Sequence, residues 1–263
     1  MNTTLSGAPG VRPATATEFG EGEKEEARLI QQSLLPSASL EGATYEVAYK
    51  FTPFAEVGGD FADFFTLMDG RVGVYVGDIV GKGLAAAMYA ALAMGTLRGI
   101  HKSGVEAAAV LTMFNKRLHV RPVAARYCAA LYATFEPASL KLTLSNAGLP
   151  LPLIASKGGC REFGEGGMPS GMFDDVDYAQ STIQLFPGDS VLFATDGLHE
   201  LRNHREEFIS AEQLSALWRE CGKKSANESL DLLFDGVRGF SEGAHLYDDL
   251  TAVVLKVPEQ NEK

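Results

Sequence analysis

Gly58-Gly59-Asp60, an apolar run, Asp69-Gly70, a second apolar run and then Gly77-Asp78-Ile79-Val80-Gly81-Lys82-Gly83 form the stretch that decides the fold. Asp-Gly between two apolar, alternating runs is a strong short-range signal for a β-hairpin. The turn falls at 69–70, and Asp60 and Asp78 are nearly symmetric about it. In an antiparallel pair they lie almost opposite, with Cβ atoms roughly 5 Å apart. Two carboxylates that close repel each other, and a divalent cation relieves the repulsion. The competing reading has both acids at the turn or edge, pointing apart into water.

Outward from the hairpin, the totals set bounds. A chain of 263 residues with 46% apolar content builds one large domain or two small ones. A net charge of −11 argues against general nucleic-acid or anionic-membrane binding and fits a site that gathers cations. Cys128, Cys160 and Cys221 form neither a zinc pattern nor a disulfide framework, so a reducing cytoplasm is expected. The apolar stretch Leu84–Met94 is short and Ala-rich for a membrane span, and the N-terminus lacks a signal-peptide pattern.

Residues 1–22 are rich in Thr, Ala, Gly and Pro and read as a disordered tail. From Glu23 the sequence is helix-forming, with acids in the first turn and Pro36 as the stop, giving a linker helix within 23–39. Its apolar residues Leu29, Ile30 and Leu34 pack on the main domain or pair with a second copy, a homodimer through 23–36. The main domain spans 40–258, and 259–263 is a charged tail. Strands are expected at 45–52, 60–68 and 71–78, then a helix from Gly83 to about 100. Ser103 to Glu106 reads as a capping box opening a helix to Leu118. Strands follow at 127–135, 140–145 and 151–155, a glycine-rich mobile loop at 158–176, and strands at 178–185 and 189–195. Capping boxes at Ser210 and Ser225 open two helices, and Leu250–Val257 is a last strand. Strands in hairpins with helices in pairs predict two stacked, mainly antiparallel sheets covered by helices, not alternating βαβ. Trp218 and Cys128 read as core.

Two further acidic positions stand at strand ends. Phe193-Ala194-Thr195-Asp196-Gly197 ends a strand on an acid, and Asp248-Asp249 precedes the final strand. If those strands are antiparallel neighbours, Asp196 and Asp248 meet at one sheet end, and four acids converge: Asp60, Asp78, Asp196 and Asp248. Taken alone, Asp196 reads as a turn or N-cap residue before the segment at 198 rather than as a ligand. Adjacent acids on a strand diverge, so one of Asp248 and Asp249 faces the site and the other bonds backbone.

The ordered segments now resemble a known family. Val57-Gly58-Gly59-Asp60-Phe61-Ala62-Asp63-Phe64-Phe65, Gly77-Asp78-Ile79-Val80-Gly81-Lys82-Gly83, Asn146-Ala147-Gly148-Leu149-Pro150, Gly167-Met168-Pro169-Ser170-Gly171, Phe193-Ala194-Thr195-Asp196-Gly197 and Asp248-Asp249-Leu250-Thr251 occur in the order seen in SpoIIE/RsbU-type metal-dependent serine/threonine phosphatases, a branch of the type 2C superfamily. Gln31-Gln32-Ser33-Leu34-Leu35-Pro36 resembles the linker helix that precedes that domain. The resemblance implies an α–β–β–α sandwich (α/β, of the α+β kind) with two divalent cations, Mn²⁺ or Mg²⁺, at one end. It implies that Asp78 bridges both, that the Ile79 carbonyl oxygen ligates one, and that Asp196 and Asp248 bind the other. Asp60 binds directly or through water, and Asp249 is an outer partner or the substitute for Asp248. A metal-activated hydroxide then attacks phosphorus in line, with no covalent intermediate.

The resemblance further implies a phosphorylated protein substrate, an anti-sigma-factor antagonist in a partner-switching stress response, and an activating partner. Val80 stands where the eukaryotic branch has a general-acid His, so water protonates the leaving oxygen. Lys82 is the nearest cation and a candidate substrate contact. Leu149 and His199 replace His and Thr of many relatives. Phe61 departs from the GGDEF signature of diguanylate cyclases, which needs an acid there. The alternative is a catalytically silent phosphatase-fold module that binds a signalling partner.

Overall fold

The structure, a computed structural model, describes residues 20–101, 105–243 and 245–259. In chain order the elements are α1 (Glu21–Leu34), β1 (Leu40–Gly42), β2 (Tyr45–Thr52), β3 (Phe61–Thr66), β4 (Val72–Ile79), α2 (Gly83–His101), α3 (Ala107–His119), β5 (Cys128–Glu136), β6 (Lys141–Ala147), β7 (Leu153–Ser156), β8 (Gly159–Glu162), β9 (Ser181–Gln184), β10 (Ser190–Ala194), α4 (Asp196–His199), α5 (Ala211–Cys221), α6 (Ala226–Ser241) and β11 (Leu250–Lys256). One sheet runs β1-β2-β11-β10-β7-β8, the other β3-β4-β5-β6-β9. Every pairing between these strands is antiparallel.

The two-residue side-chain period of β4 explains the layering. Val72, Val74 and Val76 point between the sheets, into a core shared with Phe193 and Val253. Tyr75 and Ile79 point the other way, into a core with Ala90, Leu97 and Phe114 of α2 and α3. Trp218, Leu230 and Leu233 of α5 and α6 cover the outer face of the other sheet, against Leu192 and Val254. This is the expected α–β–β–α sandwich.

The hairpin is as the sequence predicts. Gly70 takes φ +84°, where a side chain would be strained, and donates to Leu67 O at 2.9 Å. Phe61 pairs with Gly77, which leaves Asp60 and Asp78 opposite each other at the open end. Both later capping boxes form, at Ser210 and at Ser225. Trp218 and Cys128 are fully buried.

Several boundaries differ. Helix α1 starts at Glu21, inside the stretch read as tail, because the Glu23 carboxylate accepts from Gly20 N at 2.9 Å; residues 1–19 and 260–263 lie outside the described residues. Ser103 also lies outside them, and α3 begins only at Ala107, with Glu106 at its N-cap making no side-chain cap bond. Its carboxylate accepts from Gln180 Nε2 instead. The glycine-rich stretch 158–176 is not wholly loop: Gly159–Glu162 is an edge strand paired with β7. Glycine content masked it, since the pairing turns at Lys157-Gly158 and β8 opens on Gly159, at φ +126°. Helix α2 is longer than the Leu84–Met94 stretch, and Gly83–Ile100 has the length and composition of a membrane span. In the fold its Ala86, Ala90, Ala93 and Leu97 are buried against sheet and neighbouring helix.

Candidate metal centre at the open end of the sandwich

The site is built where four strand ends meet. The β3–β4 hairpin supplies Asp60 just before β3 and Asp78 near the end of β4. Strands β10 and β11 are antiparallel neighbours with Ala194 opposite Ala252, so Asp196 and Asp248 leave the sheet at the same end. The condition set by the sequence for these acids to approach one another is therefore met.

Asp60 is 2% exposed. Burial, then the charges of Asp78 and Asp249, raises its carboxyl well above the usual carboxylate range, and a 2.7 Å hydrogen bond from Thr195 Oγ1 to Asp60 Oδ2 opposes the rise. Asp78 is pushed up to about 7, chiefly by burial and the charge of Asp196, with Asp248 and Asp249 adding. Its carboxyl is within hydrogen-bonding reach of Asp60. Burial and then Asp248 raise Asp196 too. These acids thus repel one another in a poorly hydrated place, the setting in which carboxylates hold a proton or a cation.

Asp248 and Asp249 divide the work in the way strand alternation requires. Asp249 is 6% exposed and faces backbone. Its Oδ1 accepts from Phe54 N at 2.8 Å, and its Oδ2 from Gly59 N at 2.7 Å and Asp60 N at 3.3 Å. It is a tether for the loop that carries Asp60. Asp248 faces the acids, and its Oδ2 pairs with Lys82 Nζ at 2.8 Å. Lys82, the candidate substrate contact, is thereby held on a site acid.

Gly59 lets these parts close up. A Cβ there would lie 2.9 Å from the Ile79 carbonyl oxygen, 3.3 Å from Ala86 Cβ and 3.5 Å from Asp78 Oδ1. The backbone of one hairpin arm therefore rests on the carbonyl and carboxylate of the other, and Ile79 N donates to Gly59 O at 3.3 Å.

Among the described residues, no group of three or more His, Cys, Asp or Glu side chains is gathered closely enough to hold a metal ion as they stand. The donor set nevertheless fits a hard divalent cation: carboxylate oxygens and one backbone carbonyl, with no thiol and no imidazole among them. Asp60 is buried and Asp78, Asp196 and Asp248 are half-buried; they repel one another, and Asp60, Asp78 and Asp196 have no ion-pair partner among the described residues. Asp248 is held by Lys82 and Asp249 by backbone N–H groups, so the cluster stands partly engaged by the chain's own donors.

Three contributors were not found by sequence reasoning. Thr195, fully buried, bonds Asp60 and accepts from Thr251 N at 3.3 Å; its place before Asp196 was the only signal. Arg126 donates to the Val80 carbonyl and lies over Gly81, a second cation beside the loop after Asp78. Gln31 of α1 donates to Gly58 O at 2.7 Å and accepts from Gly58 N at 3.1 Å, a paired bond between the first helix and the loop before Asp60.

The family model described as Stage II sporulation protein E matches residues 68–258. Protein IcfG of Synechocystis is 24% identical over 93% of this chain and 44% of its own length. Phosphoserine phosphatase RsbU of Bacillus subtilis is 23% identical over 90% of this chain and 70% of its own. The chain thus spans less than half of IcfG and about two thirds of RsbU. Among solved structures, the SiaA-PP2C domain of Pseudomonas aeruginosa superposes with a TM-score of 0.78 at 18% identity, covering 89% of this chain and 95% of that one. RsbX in complex with magnesium superposes with a TM-score of 0.63 at 15% identity, covering 84% of this chain and 98% of that one. At these identities the structural likeness shows the fold.

Proposed function

The chain belongs to the SpoIIE family, whose members here include type 2C phosphatases, and from that premise we propose that it is a metal-dependent protein serine/threonine phosphatase. The observation that carries this reading is the cluster of Asp60, Asp78, Asp196 and Asp248 at one end of the sandwich, three of them raised by burial and mutual repulsion. We take the metal to be Mn²⁺ or Mg²⁺, two ions in number. RsbX, a fold relative, binds magnesium, and the oxygen donors here suit either ion.

In this reading Asp78 and the Ile79 carbonyl, with Asp60, Asp196 and Asp248, hold the metals. Bound divalent cations supply a hydroxide near neutral pH and offset charge on a transferring phosphoryl group. The chain's own part is positioning. Thr195 fixes one Asp60 oxygen, Asp249 fixes the backbone under Asp60, and Arg126 fixes the carbonyl that follows Ile79. Val80 cannot carry a proton, so the leaving serine or threonine oxygen takes its proton from water. No residue is required as a covalent nucleophile.

The substrate in this reading is a phosphoserine or phosphothreonine protein, an anti-sigma-factor antagonist of a partner-switching pathway. The names of the relatives RsbU and RsbP, both phosphoserine phosphatases, support it. Leu29 and Ile30 on α1 are 54% and 56% exposed, which suits pairing with a second copy or with an activating partner. The three free thiols suit a reducing cytoplasm. Phosphoproteomics of cells carrying wild type or Asp78→Asn tests the substrate: one phosphoserine or phosphothreonine site is expected to accumulate in the variant, and an unchanged phosphoproteome contradicts the assignment.

A further inference from the structure

Lys82 is held in a socket of its own. Gly81 at φ +95° and Gly83 at φ +71° take backbone conformations that side chains disfavour, and they turn the chain sharply on either side of it. The ammonium pairs with Asp248 Oδ2 at 2.8 Å, donates to the Tyr247 carbonyl, and lies 4.7 Å from the centre of the Phe54 ring. A carboxylate, a carbonyl and an aromatic face are each attractive to a cation. Asp248 Oδ1 meanwhile accepts from Asp249 N at 2.9 Å. Both oxygens of Asp248 are therefore engaged, one of them by a charge of the same sign as a metal ion. Among the described residues, Lys82 is the one cation ion-paired to any of the four clustered acids.

We propose that Lys82 is a built-in competitor for Asp248, a tethered cation that a metal ion must displace before Asp248 can ligate it. The inference rests on the metal-centre reading above and adds to it a residue that sets metal affinity. The pair is half exposed, with side-chain exposures of 45% for Lys82 and 32% for Asp248, so the competition is modest and reversible. Phe54 and the Tyr247 carbonyl add to the hold on the ammonium while it is paired with Asp248, so the socket's strength is adjustable without changing any charge.

The test uses the full chain and Mn²⁺ alone. Isothermal titration of wild type, Lys82→Met and Phe54→Leu is expected to show Mn²⁺ bound about fivefold more tightly by Lys82→Met. Phe54→Leu, which keeps every charge, is expected to bind about twofold more tightly. In the wild type, the rate at which an amine-acylating reagent labels Lys82, read by mass spectrometry, is expected to rise about threefold when Mn²⁺ saturates the site. Equal or weaker Mn²⁺ binding by Lys82→Met overturns the competition while leaving the metal centre standing. Tighter binding with unchanged Lys82 labelling also overturns it, leaving only long-range repulsion. Absence of Mn²⁺ binding in both folded proteins overturns the metal centre itself, and the competition with it. Should Lys82→Met not fold, the Phe54→Leu affinity and the wild-type labelling decide between the same outcomes.

Discussion

The Thr195 hydroxyl donates a 2.7 Å hydrogen bond to Asp60 Oδ2, joining the end of β10 in one sheet to the start of β3 in the other. Thr195 Oγ1 also accepts from Thr251 N at 3.3 Å, so one buried side chain links three strand ends that carry site acids. Thr195→Val keeps the shape and removes both bonds. It is expected to cost about 1–3 kcal/mol, since Asp60 and Thr251 N are left short of a buried partner. Urea denaturation measures the loss, and Mn²⁺ affinity is expected to fall with it, as Asp60 is no longer fixed.

Asp248 and Asp249 are expected to separate cleanly on substitution. Asp249→Ala strands three backbone N–H groups of the loop before β3 and is expected to destabilise the fold by about 3 kcal/mol or more. Asp248→Asn loses a half-exposed ion pair, expected to cost about 1 kcal/mol or less, yet to weaken Mn²⁺ binding at least tenfold. Denaturant midpoints and metal titrations on the two variants give the comparison.

Gly59→Ala places a methyl group 2.9 Å from the Ile79 carbonyl oxygen. The hairpin arms must part to admit it, at an expected cost of about 1–3 kcal/mol. The Asp60 and Asp78 carboxyls separate at the same time, so thermal stabilisation by Mn²⁺ is expected to shrink. Thermal melts with and without Mn²⁺ read both effects.

The pH dependence of the metal-free protein has a defined sign. Burial and the charge of Asp196 push Asp78 up to about 7 from an ordinary 3.8, and burial raises Asp60 as well. Across that window the folded chain keeps protons that the unfolded chain has released, so metal-free stability falls as pH rises from about 4 to 7. Metal binding needs the carboxylates deprotonated, so stabilisation by Mn²⁺ grows over the same range. Melts at pH 5, 6, 7 and 8, in chelator and in Mn²⁺, are expected to show the two trends with opposite slopes.

Much of this was legible in the sequence because it follows from local rules. Asp69-Gly70 fixes a hairpin, the hairpin fixes the register, and the register sets Asp60 opposite Asp78. The capping boxes at Ser210 and Ser225 formed because a serine and an acid or amide three residues on need no tertiary help. The failures are where tertiary partners decide. Glu106 completes a capping-box pattern in the sequence but bonds Gln180, which is 74 residues away. Strand β8 has few alternating apolar residues and exists because β7 pairs with it. The Thr195 and Arg126 contacts to the site, and the paired bond from Gln31, join segments whose separation hides their meeting. The sequence did place one of Asp248 and Asp249 on backbone, by strand alternation, but which one depends on the packing of the Phe54–Asp60 loop.

The central claim is that Asp78 holds metal for phosphoester hydrolysis. The most direct measurement is Mn²⁺-dependent release of phosphate from a phosphoserine peptide by purified wild type and Asp78→Asn, with circular dichroism to show that both are folded. The account predicts turnover by wild type that chelator removes, and loss of at least a thousandfold in Asp78→Asn. Turnover that persists in the folded variant, or that does not depend on added metal, would contradict it.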